Sequence, residues 1–321
     1  MESTLVLRTN ISPYQAKDFI FREKEALEKI PGIKYLTQST AKVKPKILIT
    51  NTHTKLGEFY SEILEGTELI IHPNSGHDHF AQDMHLWKDI PVVVGNQVRA
   101  QAVAEYCLRC LFEGVVDFPQ HLEWDRERKW NRPIIAELPV WVFGYGHIGK
   151  ILAQTLHALG AEVTVVDPYI TECPYRWIKT WQEGKLKSAR VVMLAMGLNK
   201  TSQQMLDYRF FENVHPELVL INPARGKLIE ENALRDFLPA NPKSCAFLDT
   251  FDKEPFGPEW HHVPQVWKTS HIAGVDTRLD DRIIDFEVRM LSDWLVLGKK
   301  GFVKKHMGDI LQYKFKDGIL I

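Results

Sequence analysis

The sequence has no apolar run of the roughly 18 to 20 residues that would cross a bilayer, and Met1 to Asn10 lack the charged-then-apolar layout of a secretory signal. A membrane role is thereby set aside and a cytoplasmic location expected. Cysteine is scarce, four in 321 residues, and such a count does not build a disulfide framework. Two of the four, Cys107 and Cys110, form a CxxC, but it has no partner cysteines for zinc and lies within the helical pattern Ala102, Val103, Tyr106, Cys107, Cys110 and Leu111. A redox CxxC needs a helix N-terminus, so buried helix packing is expected. Neither sign of charge is in excess: 40 Lys plus Arg stand against 41 Asp plus Glu, leaving no global field to draw nucleic acid or an anionic membrane. Low-complexity segments and short-period repeats are also missing. The partners expected of such a chain are small molecules.

What is present is enough apolar residue for two cores, 45% of 321, since single cores rarely grow past roughly 250–300 residues. Short β-branched runs at Thr4–Leu7, Ile33–Leu36, Lys46–Thr50, Glu68–Ile71 and Pro91–Val94 alternate with amphipathic stretches. The first helix is expected to open at Ser12-Pro13, with Phe19, Ile20, Ala26, Leu27 and Ile30 as its apolar face. The alternation restarts after Pro139 with Val140–Phe143, Glu162–Val166, Arg190–Ala195, Leu218–Ile221, Cys245–Leu248 and Val266–Thr269. Strands joined by helix-length connections predict two doubly wound parallel sheets, an α/β architecture. A helix from about Arg99 to Leu111 and a Trp-rich connection from His121 to Pro133 lie between the two units, and Leu279 to Leu297 is helical again.

The strongest local signal is Gly144, Gly146 and Gly149 in a GxGxxG that follows the strand Val140–Phe143 and opens a helix from Ile148 to Leu159. Gly144 permits the tight turn, Gly146 lets a pyrophosphate approach the backbone, and Gly149 lets the helix pack on the sheet. Tyr145, His147 and Ile148 fill the loop, whose helix end offers N–H groups to phosphate. The next strand ends in Asp167, where a carboxylate accepts from both ribose hydroxyls and repels a 2′-phosphate. The expected cofactor is NAD.

Three more blocks each follow a predicted strand: Asn222 to Gly226, Asp249 to Pro255, and Ser270 to Gly274. Ligands of open α/β sheets gather at the carboxyl ends of strands, so Arg225, Glu254 and His271 can converge on one cleft. Arg supplies a planar fork for a carboxylate, His titrates near neutrality, and Glu can orient and charge-stabilise that His.

On these motifs, together with the Ala102 to Tyr106 segment and Trp130, the chain resembles the D-isomer-specific 2-hydroxyacid dehydrogenase family over about residues 95 to 275. The resemblance implies a Rossmann cofactor domain inserted in a flavodoxin-like substrate domain, with boundaries at 1–98, 99–280 and 281–321. It implies a catalytic trio of Arg225, Glu254 and His271, with Asp249 near the nicotinamide carboxamide and Ala224 and Gly274 also beside the cofactor. The loop Asn74, Ser75, Gly76, followed by His77, is implied to present N–H groups to a substrate carboxylate. The expected activity is hydride transfer between nicotinamide and C2 of a small D-2-hydroxy or 2-oxo acid of the glyoxylate or hydroxypyruvate kind, in the cleft between the lobes.

Two alternatives sit on the same fold. In formate dehydrogenase the family places Gln where this chain has Glu254, and a carboxylate there argues for proton transfer. A non-catalytic NAD-sensing regulator is the reading from another class. Met196 to Thr201 stand where the family carries a Pro-containing segment. No metal is expected: His72, His77, His79 and His85 lack the spacing and carboxylates that would complete a site, although His77 or His79 can line the substrate. The family and the apolar helix Ala102–Leu111 point to a homodimer.

Overall fold

The computed structural model describes residues 3–37, 44–54, 61–81, 84–115, 123–124, 126–127, 132–316 and 318–321. Trp130 and most of the His121 to Pro133 connection lie outside the described residues. Two compact units form, Met1–Arg99 with Val275–Ile321 and Ala100–Gly274.

In the first unit, β1 (Thr4–Arg8), β2 (Ile33–Thr37), β3 (Ile47–Ile49), β4 (Leu69–His72) and β5 (Val92–Val94) pair in parallel in the order β2-β1-β3-β4-β5. This is the flavodoxin-like order. The β-branched runs are continuous because both faces are covered. Ile47, Ile49, Leu69, Ile71 and Val93 point into one core with Ile283, Met290 and Phe302 of the helix Leu279–Lys305, while Leu48, Ile70, Val92 and Val94 point into a second with Phe80 and Trp87.

In the second unit, β6 (Pro139–Phe143), β7 (Glu162–Val166), β8 (Arg176–Ile178), β9 (Val191–Leu194), β10 (Val219–Asn222), β11 (Cys245–Leu248) and β12 (Val266–Lys268) form a parallel sheet in the order β12-β11-β10-β9-β6-β7-β8. Counted from β6, that is the Rossmann order extended by one strand. Alternation splits each strand between two cores: Val140 and Val142 meet Leu152, Ala153 and Leu156 of the helix His147–Ala158, and Trp141 and Phe143 face Phe210, Leu234 and Leu238 on the other side. The fold class is the one the sequence predicts.

Two local expectations are corrected and one strand is added. The first helix starts at Phe19, not at Ser12-Pro13, because Ser12 and Gln15 close a turn of their own: Gln15 N–H donates to the Ser12 carbonyl at 3.1 Å and Ser12 N–H to Gln15 Oε1 at 2.7 Å. The strand β8 went unpredicted, since three residues at a sheet edge show no apolar alternation. The last helix resumes after Leu297, past Gly298 at φ 63°, and runs to Lys305. The helix around the CxxC spans Asn96–Val115, and Val103, Ala104, Cys107, Cys110 and Leu111 are packed into the core of the second unit. That apolar face lies inside the unit. Burial pushes the Cys107 thiol well above its ordinary value and Cys110 and Cys245 to about 11.

A charged cluster is sealed inside the first unit. Arg8 at the end of β1 is bonded to Glu23 of the helix Phe19–Glu28 through both Nε and Nη2, and its Nη2 is 2.6 Å from Glu287 Oε1; Tyr35 donates to Glu23. Both glutamates are fully buried. Burial alone would raise both acids, but the Arg8 charge and its hydrogen bonds hold Glu23 low, whereas Glu287 remains well above the carboxylate range. One cation thus serves one carboxylate and one neutral acid. Arg8→Met should cost about 3–5 kcal/mol in urea unfolding, as removal of one partner of a buried ion pair does. An acid raised by folding loses stability as pH climbs above its unfolded value of about 4.3. Glu287→Gln should therefore match wild type at low pH and gain on it steadily toward pH 8. A difference that does not change with pH would show Glu287 to be ionised in the fold.

Candidate active site

The second unit builds its site at the carboxyl ends of its strands. After β6 the chain turns at Gly144, φ 95°, a left-handed conformation that glycine adopts without strain, and Gly144 N–H donates to Val166 at 2.9 Å. A Cβ on Gly149 would stand 1.9 Å from the Gly144 carbonyl oxygen, so the helix His147–Ala158 reaches the loop only because residue 149 has none. A Cβ on Gly146 would meet nothing within 4 Å. The face of the loop at Gly146 and His147 is exposed, and Ile148 is half-buried beneath it. The first helical turn leaves N–H groups without intrahelical acceptors, which suits a phosphate.

Asp167 follows β7. Its Oδ2 accepts from Tyr145 N–H and its Oδ1 from Tyr169 N–H, both at 2.8 Å. Each oxygen keeps a lone pair for a ribose hydroxyl, and the negative charge opposes a 2′-phosphate. Open space at Gly146, the close approach at Gly149 and the carboxylate of Asp167 together fit NAD. The departing segment after β9 is ordered by its own side chains: Asn199 Oδ1 accepts from Thr201 and Ser202 N–H, and Ser202 Oγ donates to Gly197 at 2.9 Å.

Beyond β10, Asn222 is fully buried and shapes the next turn, accepting from Ala224 N–H at 3.1 Å and donating from Nδ2 to the Arg225 carbonyl at 2.9 Å. Arg225 is half-buried, with Nη1 donating to the Ala224 carbonyl at 2.8 Å. A Cβ on Gly226 would lie 1.9 Å from the Phe251 carbonyl carbon. That contact presses the Arg225 turn against the loop after β11.

That loop and the one after β12 are joined by Asp249, which is 1% exposed. Its carboxylate accepts from Thr269 Oγ1 at 2.6 Å and from the N–H groups of Ile272 and Ala273 at 2.8 Å, while its carbonyl accepts from His271 N–H at 2.9 Å. Tyr106 Oη lies 2.8 Å from Thr269 Oγ1. His271 is held at φ 56°, uncommon for a residue with a side chain. Gly274 closes the segment at the end of the unit.

Glu254 Oε2 and His271 Nδ1 are 3.0 Å apart, the imidazole 51% and the carboxyl 41% exposed. Burial would raise Glu254, but the bond to His271, the charge of that ring, the Phe251 N–H and the Arg225 charge hold it below the usual range. Glu254 is therefore a carboxylate and can only accept, so Nδ1 carries the hydrogen and Nε2 is left for proton exchange. Arg225, Glu254 and His271 thus come together within the second unit, with Ala224 and Asp249 behind them. Of these supports, the sequence reading placed Ala224 and Asp249 at the cofactor, and it passed over Asn222 as a member of its block and Thr269 as the end of a predicted strand.

The loop Asn74 to Gly76 belongs to the first unit and follows β4. Carbonyls before and within it are occupied: Gly95 N–H donates to His72 at 2.7 Å, Arg99 Nη1 to Pro73 at 2.9 Å, and His77 Nδ1 to Ser75 at 2.9 Å. Among the described residues the N–H groups of Asn74, Ser75 and Gly76 find no protein acceptor and the buried Ser75 Oγ has no partner. The loop is a set of amides with acceptor needs unmet. Arg99, near the start of the helix Asn96–Val115 and bonded to the Pro73 carbonyl, is the residue the sequence reading missed here. Among the described residues no group of three or more His, Cys, Asp or Glu stands close enough to hold a metal, and no helix is long and apolar enough to cross a membrane.

Residues 108–273 match the family model described as D-isomer specific 2-hydroxyacid dehydrogenase, NAD binding domain. The (S)-sulfolactate dehydrogenase of Chromohalobacter salexigens is 27% identical over 220 residues, 65% of this chain and 71% of that protein. A D-3-phosphoglycerate dehydrogenase of Mycobacterium bovis is 27% identical over 228 residues, 67% of this chain and only 42% of that protein, so the match spans less than half of that relative. In structure, the chain resembles a D-lactate dehydrogenase from Aquifex aeolicus solved with NAD and lactic acid, at a TM-score of 0.71 and 23% identity over 96% of this chain and 99% of that one. It also resembles a D-2-hydroxyisocaproate dehydrogenase at a TM-score of 0.72 and 17% identity, over 92% and 97%.

Asp167→Ala should weaken NADH binding by roughly ten- to a hundredfold, the loss of one or two hydrogen bonds to a charged acceptor, and should narrow the preference for NADH over NADPH. Fluorescence titration with both cofactors measures it, and an unaltered preference would remove Asp167 from the ribose site.

Proposed function

The chain belongs to the family of D-isomer specific 2-hydroxyacid dehydrogenases, and we propose that it interconverts a small 2-oxo acid and the D-2-hydroxy acid by hydride transfer at C2. The observation that carries the reading is the Glu254–His271 pair at 3.0 Å with Arg225 charge felt at Glu254. The nicotinamide of NAD supplies the hydride in one direction and takes it in the other.

In reduction, Arg225 holds the substrate carboxylate through its planar fork. His271 gives the proton on Nε2 to the carbonyl oxygen as C2 becomes tetrahedral, and Glu254 stabilises the imidazolium before that transfer. In oxidation the same nitrogen, now neutral, takes the hydroxyl proton. Asp249 keeps the His271 backbone in place throughout, through three bonds to the segment it closes. In the first unit, the amides of Asn74 to Gly76, left without protein acceptors among the described residues, suit a carboxylate. Glyoxylate and hydroxypyruvate are the substrates to test first, and the reading extends to a cytoplasmic homodimer, which light scattering of the purified protein would test.

Steady-state oxidation of NADH with a panel of 2-oxo acids tests the activity. Turnover is expected, and NADH binding without turnover of any acid would favour a sensor instead. Arg225→Lys keeps the charge but loses the fork, so kcat/KM should fall on the order of tenfold or more while NADH affinity holds. An unchanged kcat/KM would detach Arg225 from the substrate.

The acid-base pair predicts opposite pH limbs. Reduction needs protonated His271 and should fade as pH rises, whereas oxidation needs the neutral ring and should grow. Glu254 is held low and so stays ionised across that interval. Glu254→Gln removes the charge that favours the imidazolium, so both limbs should move to lower pH. His271→Ala should abolish them and lower kcat by roughly 10² to 10⁴. Profiles of kcat/KM in both directions decide it, and limbs that stay put in Glu254→Gln, with a deuteride isotope effect showing chemistry to be limiting, would dissolve the pair.

A further inference from the structure

One buried titratable side chain of the first unit takes no part in the chemistry above. His72 ends β4, is fully buried, and burial holds its pKa well below the ordinary histidine value, so its ring is neutral. Its two nitrogens meet different partners. Nε2 lies 3.0 Å from the Gly76 carbonyl oxygen and Nδ1 lies 2.9 Å from Thr50 Oγ1. A carbonyl only accepts, so Nε2 carries the hydrogen. A neutral ring has a single N–H, so Nδ1 accepts and the Thr50 hydroxyl donates. Thr50 is itself fully buried at the end of β3, its N–H bonded to Ile71 at 2.9 Å.

The carbonyl that His72 takes belongs to the peptide between Gly76 and His77. Glycine has no Cβ to restrict its dihedrals, so this peptide is the one in the loop most free to flip. Within a planar trans peptide the C=O and N–H point in opposite directions, and flipping one plane re-aims the amides beside it. Arg99 and His77 fix the Pro73 and Ser75 carbonyls. The Gly76 carbonyl has only the imidazole.

We propose that His72 is a positioning residue for the carboxylate seat: held in one tautomer by Thr50, it pins the Gly76 peptide and so keeps the amides of Asn74 to Gly76 aimed at a bound carboxylate. The inference rests on the reading of that loop as a carboxylate site. An apolar side chain of similar size would fill the core equally well but would leave the Gly76 carbonyl and the Thr50 hydroxyl without partners.

Two substitutions separate positioning from packing. In His72→Gln the amide nitrogen takes the place of Nε2 and can still donate to Gly76, whereas His72→Asn is too short to do so and keeps only the Thr50 side. The probe is oxamate, a carboxylate that resembles a 2-oxo acid and accepts no hydride, titrated into enzyme loaded with NADH. His72→Asn should raise the oxamate Kd and the KM for any 2-oxo acid turned over on the order of tenfold, the effect of one lost hydrogen bond, with kcat and the NADH Kd near wild type. His72→Gln should recover most of that loss. Should His72→Asn fail to fold, Thr50→Val tests the same chain of bonds, and nitrogen-15 spectra of the wild-type histidines test the tautomer directly.

Equal oxamate affinity in wild type and His72→Asn, a Gln variant no better than Asn, or a ring protonated on Nδ1 would each overturn the proposal. Wild type that binds oxamate but reduces no 2-oxo acid would defeat the proposed activity and leave His72 in its role. Turnover with an unchanged KM in His72→Asn would do the reverse, and wild type that neither binds oxamate nor turns over would end both.

Discussion

The chemistry proposed for the second unit hangs on a carboxylate that takes no proton in it. Asp249, sealed at the end of β11, draws Thr269, Ile272 and Ala273 onto its two oxygens and His271 N–H onto its carbonyl. A buried anion without donors would be costly, and these groups are what make its burial tolerable. The exchange works in both directions. The donors stabilise the charge, and the charge holds the segment in a conformation that includes a histidine at φ 56°. A strained residue persists only where its surroundings over-determine it. Here the surroundings are one aspartate.

From that clamp the rest of the arrangement follows by short steps. His271 is set on its backbone, so its ring meets Glu254 through Nδ1 and leaves Nε2 outside that bond. Glu254 is in turn tied to Phe251 N–H at 3.2 Å, on the stretch that Gly226 allows to lie against the Arg225 turn. Three strands thus deliver three side chains through contacts of backbone on backbone. Such contacts leave little slack, and positioning to a fraction of an ångström is what proton transfer requires.

The parts of this that sequence could reveal are those written in spacing. A GxGxxG between a strand and a helix is legible because each glycine answers a local steric demand, and Asp167 is legible because it ends the next strand. Both sheets were readable from apolar runs, since strands covered on two faces need no polar alternation. What stayed hidden was tertiary. His72 reads as the first member of a histidine-rich run just past a strand, and only the fold brings it to Thr50 on one side and Gly76 on the other. Arg8, Glu23 and Glu287 lie on a strand and two helices, the first and the last 279 positions apart, and no local pattern announces a charge cluster inside a core. The start of the first helix was misread for the opposite reason: Ser12 and Pro13 carry a helix-start signal that Gln15 diverts into a turn.

The helix that carries Cys107 and Cys110 also decides how the protein meets oxidants. Alkylating agents and peroxides react with thiolates, and a thiol at about 11, where Cys110 and Cys245 stand, is ionised in roughly one molecule in ten thousand at pH 7. Cys107 is held higher still. Of the four cysteines only Cys173 is not buried. Maleimide chemistry on the native protein therefore has one address, beside the ring of Tyr145, and a dye placed there would sit next to the glycine loop without any cysteine having to be removed first.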